Sequence, residues 1–242
     1  MRTDFIHFSD IDLARPESWK GKKIVSFDVD WAIDEAIEEC MQYIANAQVK
    51  ATFFVTHDSP ALHKLKNTSH IELGIHPNFD PLINKQPDSL TSNEIINNLK
   101  QLVPSASVIR SHGMTHSGRW LPLYKQHGLK YSSQYFMNGV NTIQPFSHLN
   151  GTVEAPVYFA DDGFIWEADQ SGWDHNLGRF SFTGHPDYLC VYNFHPIHIA
   201  LNTPGYSFYE STRSAHRDPE QLSAIKNNAK PGAADLLKKL LA

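Results

Sequence analysis

Cysteine is scarce: the chain has two, Cys40 and Cys190, far apart in sequence. That excludes a disulfide scaffold and a thiolate zinc knuckle, which need numerous or closely spaced thiols. Cys40 falls on an apolar helix face and Cys190 in an apolar run, so both read as small core residues. No stretch approaches the roughly 18 apolar residues of a membrane span. The first ten residues, Met1–Asp10, lack the apolar centre of a leader sequence. No membrane span and a cytoplasmic location are therefore expected. Basic charge is also in deficit, with a formal net charge of −5, which argues against a nucleic-acid partner. No Gly-rich phosphate loop, internal repeat or low-complexity tract is visible.

Histidine, by contrast, is plentiful, with 14 in 242 residues. It is the commonest metal ligand and the usual acid or base near neutral pH. Position must decide which of these histidines matter. The hydrophobic fraction of 41% and charged fraction of 19% suit an ordinary globular protein. The length suits one α/β domain spanning residues 1–242.

Short apolar runs alternate with helical patterns. Strands are predicted at Lys23–Phe27, Ala51–Thr56, Ile71–Ile75, Ser107–Arg110, Leu129–Ser133, Val153–Phe159 and Tyr188–Phe194. Between the first two, Ile33, Ala36, Ile37, Cys40, Met41 and Ile44 form one stripe of an α-helix. Thr91-Ser-Asn-Glu94 is a capping box opening a helix to about Val103. A short helix is predicted over 61–67, another over 121–127 with Gly128 at its C-terminal end, and a closing helix over 233–242. Strand–helix alternation implies βα units and a parallel sheet, here a barrel of seven strands. Residues 138–152 and 163–187, rich in Gly, Pro, Ser and Asn, read as long loops over one face.

Polar residues collect at strand ends. Asp28, Asp30, His76, Arg110, His112, Asp161, Asp162, His195 and His198 all follow the C-terminal end of a predicted strand, the edge where βα barrels carry their active sites. Asp28 and Asp30 are two apart, so in a strand they share a face. Two such carboxylates repel unless a metal or an arginine lies between them. A catalytic zinc takes about three protein ligands and keeps one position open. Asp30, His76 and one further histidine would complete that set. Zn²⁺ suits such a mixed donor set, and Co²⁺, Ni²⁺ or Fe²⁺ could also occupy it.

The strings Ser26-Phe-Asp-Val-Asp30, Lys50-Ala-Thr-Phe-Phe-Val55 and Glu72-Leu-Gly-Ile-His76 resemble, in order and spacing, the first motifs of the polysaccharide deacetylase superfamily (NodB-like, carbohydrate esterase family 4). Asp28–Trp31, Gly74–Phe79, Arg110–His112 and Phe194–His198 are similar to strings in the WbmS-like branch, associated with lipopolysaccharide O-antigen biosynthesis. The resemblance implies a distorted (β/α)7 barrel and a metal-dependent hydrolase that removes an N-acyl group from an amino-sugar or glycan substrate. It implies Asp28 as the base that activates the attacking water, Asp30 and His76 as metal ligands, and His195 as the acid that protonates the leaving amine. It further implies Arg110 as the partner of the base, and an acid at Asp161 or Asp162 as the carboxylate that orients this arginine.

Departures from the family pattern leave roles open. The family's second ligand histidine, four residues after the first, is Asp80 here. A histidine unexpected from the family, His112, stands at a strand end, so His112 is the inferred third ligand, with Asp80 and His116 as alternatives. Val29, inserted between the two aspartates, leaves the Asp28 and Asp30 roles exchangeable. A backbone N–H at Gly113 could hold the oxyanion. Trp31, Trp120, Trp166, Trp173 and Tyr206 could stack on sugar rings, and His198 could orient a neighbour or meet substrate. Two other classes compete: a glycoside hydrolase on a related barrel, using two separated acids, and a barrel that binds glycans without turnover.

Overall fold

The computed structural model describes residues 1–140, 142 and 144–242; Asn141 and Ile143, inside the expected 138–152 loop, lie outside the described residues. In chain order the elements are β1 (Lys23–Asp28), α1 (Asp34–Ala47), β2 (Ala51–Val55), α2 (Pro60–Lys66), β3 (Ile71–Ile75), α3 (Asp80–Ile83) and α4 (Ser92–Leu102). Then come β4 (Val108–Ile109), α5 (Leu121–Gln126), β5 (Tyr131–Ser132), β6 (Phe146–Ser147), β7 (Val153–Glu154), β8 (Phe159–Ala160), α6 (Asp161–Ser171) and α7 (Trp173–Leu177). The chain closes with β9 (Cys190–Phe194), α8 (Pro196–Leu201), α9 (Tyr206–Ser211), α10 (Pro219–Ile225) and α11 (Ala233–Leu241).

The strands form one sheet in the order β6-β7-β5-β4-β3-β2-β1-β9-β8. Every neighbouring pair is parallel except β6 with β7. The sheet curls into an open barrel of the expected α/β type. All six residues of β1 are buried, as are all five of β2 and of β9. Strands covered on both faces are rich in apolar residues, as the Ile24-Val25 pair of β1, the Phe53-Phe54-Val55 run of β2 and the Cys190-Val191-Tyr192 run of β9 show. The buried stripe of α1 is Ala36, Ile37, Cys40 and Ile44. Leu236, Leu237, Leu240 and Leu241 do the same for α11. The capping box is formed: Thr91 Oγ1 accepts from Glu94 N–H, and Glu94 Oε2 accepts from Thr91 N–H at 2.8 Å.

Gly74 shows how tightly β2, β3 and β4 are laid together. A Cβ there would stand 2.6 Å from the Phe54 ring and 2.9 Å from Val108. Neither neighbour can yield without moving a strand, so the position beside His76 has room only for glycine.

Three expectations are corrected. The strand predicted at 153–159 is two strands on opposite edges of the sheet: Val153–Glu154 pairs with β5, whereas Phe159–Ala160 pairs with β9. Pro156 lies between them and cannot donate to a ladder. The expected loop over 163–187 contains most of α6 and all of α7. Its sequence is polar on several sides, so no helical stripe announces it, yet it buries Phe164 and Ile165. The expected 138–152 loop carries the short antiparallel edge strand β6.

Candidate active site

The expected site residues stand at the C-terminal edge of the central strands. β1 ends at Asp28, and Val29 continues into the core. The chain then turns sharply, with Ala32 N–H donating to Val29 C=O at 2.9 Å. Asp30 and Trp31 hold φ of 46° and 55°. Non-glycine residues in this left-handed region are strained, and strain of this kind gathers at functional sites. The inserted valine thus turns Asp30 away from Asp28 and toward the histidines.

Asp30 meets two of them. Its Oδ1 lies 3.1 Å from His76 Nε2 and accepts from His112 Nδ1 at 2.9 Å. Burial would raise the Asp30 pKa, but the hydrogen bonds from His112 and His76 and their charge carry it far below the usual carboxylate range. The bond to Asp30 raises the His112 imidazolium above its ordinary value. Three potential metal donors therefore converge, one each from Asp30, His76 and His112. Ligand atoms about 2.0–2.1 Å from a tetrahedral ion stand roughly 3.3 Å apart, close to the separations here. His76 Nδ1 is buried without a hydrogen-bond partner and faces Asp28 Oδ1 at 3.7 Å. Metal-bound histidines turn their second nitrogen toward such a carboxylate. The donor set fits a zinc-like divalent ion.

Asp80 and His116 do not join this group. Asp80 opens α3. His116 stacks in a separate cluster with Tyr135 and His148 at 5.6 and 5.7 Å.

Asp28 belongs to a second unit. The fully buried Arg110 donates from Nη1 to Asp28 Oδ1 at 3.0 Å, and Asn193 Nδ2 donates to Asp28 Oδ2 at 2.7 Å. The same guanidinium reaches Ser26 Oγ, Asn193 Oδ1, Ser133 C=O and Ser133 Oγ, and lies 4.3 Å from the Phe54 ring centroid. Burial alone would raise Asp28; the Arg110 charge and the nearby imidazoles outweigh it and keep the carboxylate ionised.

His195, just after β9, forms the third unit. Its Nδ1 donates to Asp161 Oδ1 at 2.6 Å, and its backbone N–H donates to Asp161 Oδ2 at 2.9 Å. Its Nε2 points back at Asp30 Oδ2, 3.7 Å away, and Asp28 Oδ2, 3.9 Å away. Burial opposes the imidazolium, but Asp161 raises its pKa well above the ordinary value. Burial in turn raises the Asp161 carboxyl to about 6.

This geometry corrects the expectation that Asp161 or Asp162 orients Arg110. β8 adjoins β9 at one edge, and β4 lies beyond β1, β2 and β3. An acid after β8 therefore meets His195, and the carboxylate on Arg110 is Asp28 itself. Asp162 is exposed at the start of α6, where its Oδ1 accepts from Gly163 N–H at 2.7 Å; its side chain lines the cavity wall.

The first and third units border a cavity of about 680 Å³, lined by Asp30, His112, His195 and His198. Trp31, Trp166 and Tyr206 line it as well, whereas Trp120 packs on Phe79 and Trp173 on Phe164. His198 is buried, shares a hydrogen bond between its Nδ1 and Thr203 Oγ1, and is pushed well below its ordinary pKa by burial and by His195. Gly113 follows His112 with a φ of 58°. Asn193, Ser26 and Ser133 were missed as site residues. A signal existed for Asn193, a lone amide inside the apolar run YLCVYNF.

An open α/β barrel with a histidine–aspartate donor group and a buried Asp–Arg pair at its strand ends is the architecture of a polysaccharide deacetylase. The chain belongs to the WbmS-like polysaccharide deacetylase family, whose family model matches residues 25–213. No curated protein matches the chain. Among solved structures, one from Bordetella bronchiseptica, described as a polysaccharide deacetylase involved in O-antigen biosynthesis, is 32% identical with a TM-score of 0.88. The match covers 99% of this chain and 97% of that one. A polysaccharide deacetylase structure from Mycobacterium smegmatis is 18% identical over 72% of this chain and 77% of that one, TM-score 0.51. The Bc1960 peptidoglycan N-acetylglucosamine deacetylase is 14% identical over 92% and 80%, TM-score 0.50. The last two share the fold. Among the described residues no helix is long and apolar enough to cross a membrane.

Proposed function

We propose that the chain is a metal-dependent deacylase of N-acylated amino sugars, acting as one domain in the synthesis of a surface polysaccharide of the O-antigen kind. The observation that carries this reading is the convergence of the Asp30–His76–His112 donors with the His195–Asp161 pair on one cavity. Asp30, His76 and His112 would hold the ion, with Zn²⁺ the best suited. When bound, such an ion polarises an amide carbonyl and acidifies water.

The protein's own groups supply the proton transfers. Asp28, held ionised by Arg110, accepts a proton from the attacking water. Its low pKa makes it a weak base, so its value lies in position and constant charge. His195, held as imidazolium by Asp161, gives the Nε2 proton to the departing nitrogen. Without that proton the leaving group would be an amide anion, and the tetrahedral adduct would return to reactants. Gly113 N–H is our candidate donor to the oxyanion, and Trp31 and His198 are candidate walls for the sugar. A glycoside hydrolase needs two carboxylic acids free to face a bond. Here Asp28 is engaged by Arg110 and Asn193, and Asp161 by His195. The test is acetate release from N-acetylated amino sugars by the zinc-loaded protein. Turnover abolished in Asp28→Asn and His195→Ala supports the reading; no release from any such substrate, with zinc bound, overturns it.

A further inference from the structure

The cavity is longer than the catalytic groups require. From His195 the wall continues through His198, Tyr209 and His216 in ring-to-ring steps of 5.6, 4.8 and 4.7 Å. That is about the reach of a sugar ring and the group attached to it. The far wall carries Arg213 and Arg217 on the turn between α9 and α10, both lining the cavity.

Two arginines four residues apart on one cavity wall are unexpected in a chain where acids outnumber bases, 26 to 21. The acids of the lining, Asp30 and Asp162, belong to the catalytic end. Among the described residues Arg213 has only a loose ionic contact, with exposed Glu210 at 3.4 Å. Arg217 makes no salt bridge among the described residues. Its neighbour Asp218 is committed to capping α10, accepting from the N–H groups of Glu220 and Gln221. His216 Nε2 is engaged with Thr212 Oγ1, and burial lowers its pKa. The positive charge of this wall therefore rests on two guanidinium groups.

Arginine presents a planar fork of donors that matches phosphate oxygens in pairs. Trp166 and Tyr206, 53% and 43% exposed and lining the same cavity, offer apolar faces beside it. We propose that Arg213 and Arg217 seat a phosphate or diphosphate group, so that the substrate is an N-acylated amino sugar already joined to a phosphate-bearing carrier. This rests on the deacylase reading for the sugar but not for the seat itself. A reaction that installs the sugar–phosphate bond would then precede deacylation.

Titration calorimetry on the full zinc-loaded chain tests it, at two salt concentrations. The probes are UDP, UDP-N-acetylglucosamine, farnesyl-diphospho-N-acetylglucosamine, free N-acetylglucosamine and N-acetylglucosaminuronic acid. We expect at least one diphosphate probe to bind tenfold or more tighter than free N-acetylglucosamine, with an advantage that shrinks in salt. Arg213→Ala/Arg217→Ala should abolish that advantage while leaving zinc content and the circular dichroism spectrum unchanged, since both side chains are exposed. UDP preferred over the farnesyl compound identifies a nucleotide carrier, and the reverse a lipid one; either supports the seat. Equal affinity for free and diphosphate-linked sugars, or an unaffected double variant, overturns it. So does a uronic acid that binds as well as the diphosphates. Arginine-dependent binding without acetate release would leave the seat standing and sink the deacylase.

Discussion

Asp161 holds His195 twice, accepting from the ring Nδ1 at 2.6 Å and from the backbone N–H at 2.9 Å. One carboxylate thereby fixes both the charge and the aim of the ring, leaving Nε2 to face Asp30 and Asp28.

Removing that carboxylate should release the histidine. In Asp161→Asn, the His195 pKa, read from histidine ring NMR of metal-free protein, is expected to fall from well above its ordinary value. Deacylation should drop by about 10²-fold or more, the usual contribution of a placed acid. The stability sign follows from the raised folded pKa of His195. Its contribution is fully present below the unfolded value and is lost as pH rises through the folded one. The wild-type advantage over Asp161→Asn in urea melts should therefore narrow as pH climbs through that titration. An unshifted His195 in the variant would refute the role given to Asp161.

Metal content separates the ligands from their rivals. Elemental analysis should find about one zinc per wild-type chain, the stoichiometry of a three-ligand site. Asp30→Ala, His76→Ala and His112→Ala should each lose it, and Asp80→Ala and His116→Ala should keep it. Retention in His112→Ala alone would move the third ligand elsewhere.

Arg110 is the largest fully buried side chain in the protein. Arg110→Met leaves the buried Asp28 without its hydrogen-bonded cation, and losing one partner of such a pair costs about 3–5 kcal/mol. Urea denaturation should show that loss, and adding Asp28→Asn should recover part of it. A double variant no more stable than the single one would contradict the pairing.

Gly74→Ala is expected to be worse than a helix-propensity table would suggest. Its new methyl meets Phe54 and Val108 below 3 Å, and overpacking of this kind costs about 1–3 kcal/mol. A chain of this size loses roughly 2–4 °C of Tm per kcal/mol. A melt superimposable on wild type would mean the strands yield more easily than their packing implies.

Much of the fold is legible in the sequence because burial writes itself into the central strands. β1, β2 and β9 are fully buried strands centred on apolar residues, and α1 and α11 carry clean stripes. The edges are harder to see. β6 and β8 are two residues each, and α6 has no single apolar face. The convergence of Asp30, His76 and His112 follows from their places at neighbouring strand ends. The partner of His195 does not, because Asp161 and Arg110 are both polar residues at strand ends and only strand order says which lie together. That order depends on the split between Glu154 and Phe159, which a local pattern cannot show.

The guanidinium of Arg110 has a mechanical consequence. It arises from β4 yet bonds to Ser26 and Asp28 of β1, Asn193 of β9 and Ser133 beyond β5. It is a rivet through non-adjacent ribbons of the sheet. Asp28 cannot drift unless the rivet pulls out, and the rivet cannot pull out unless the sheet parts. The cavity walls on the later helices stand outside this network, while the floor around Asp28 opens only when the sheet does.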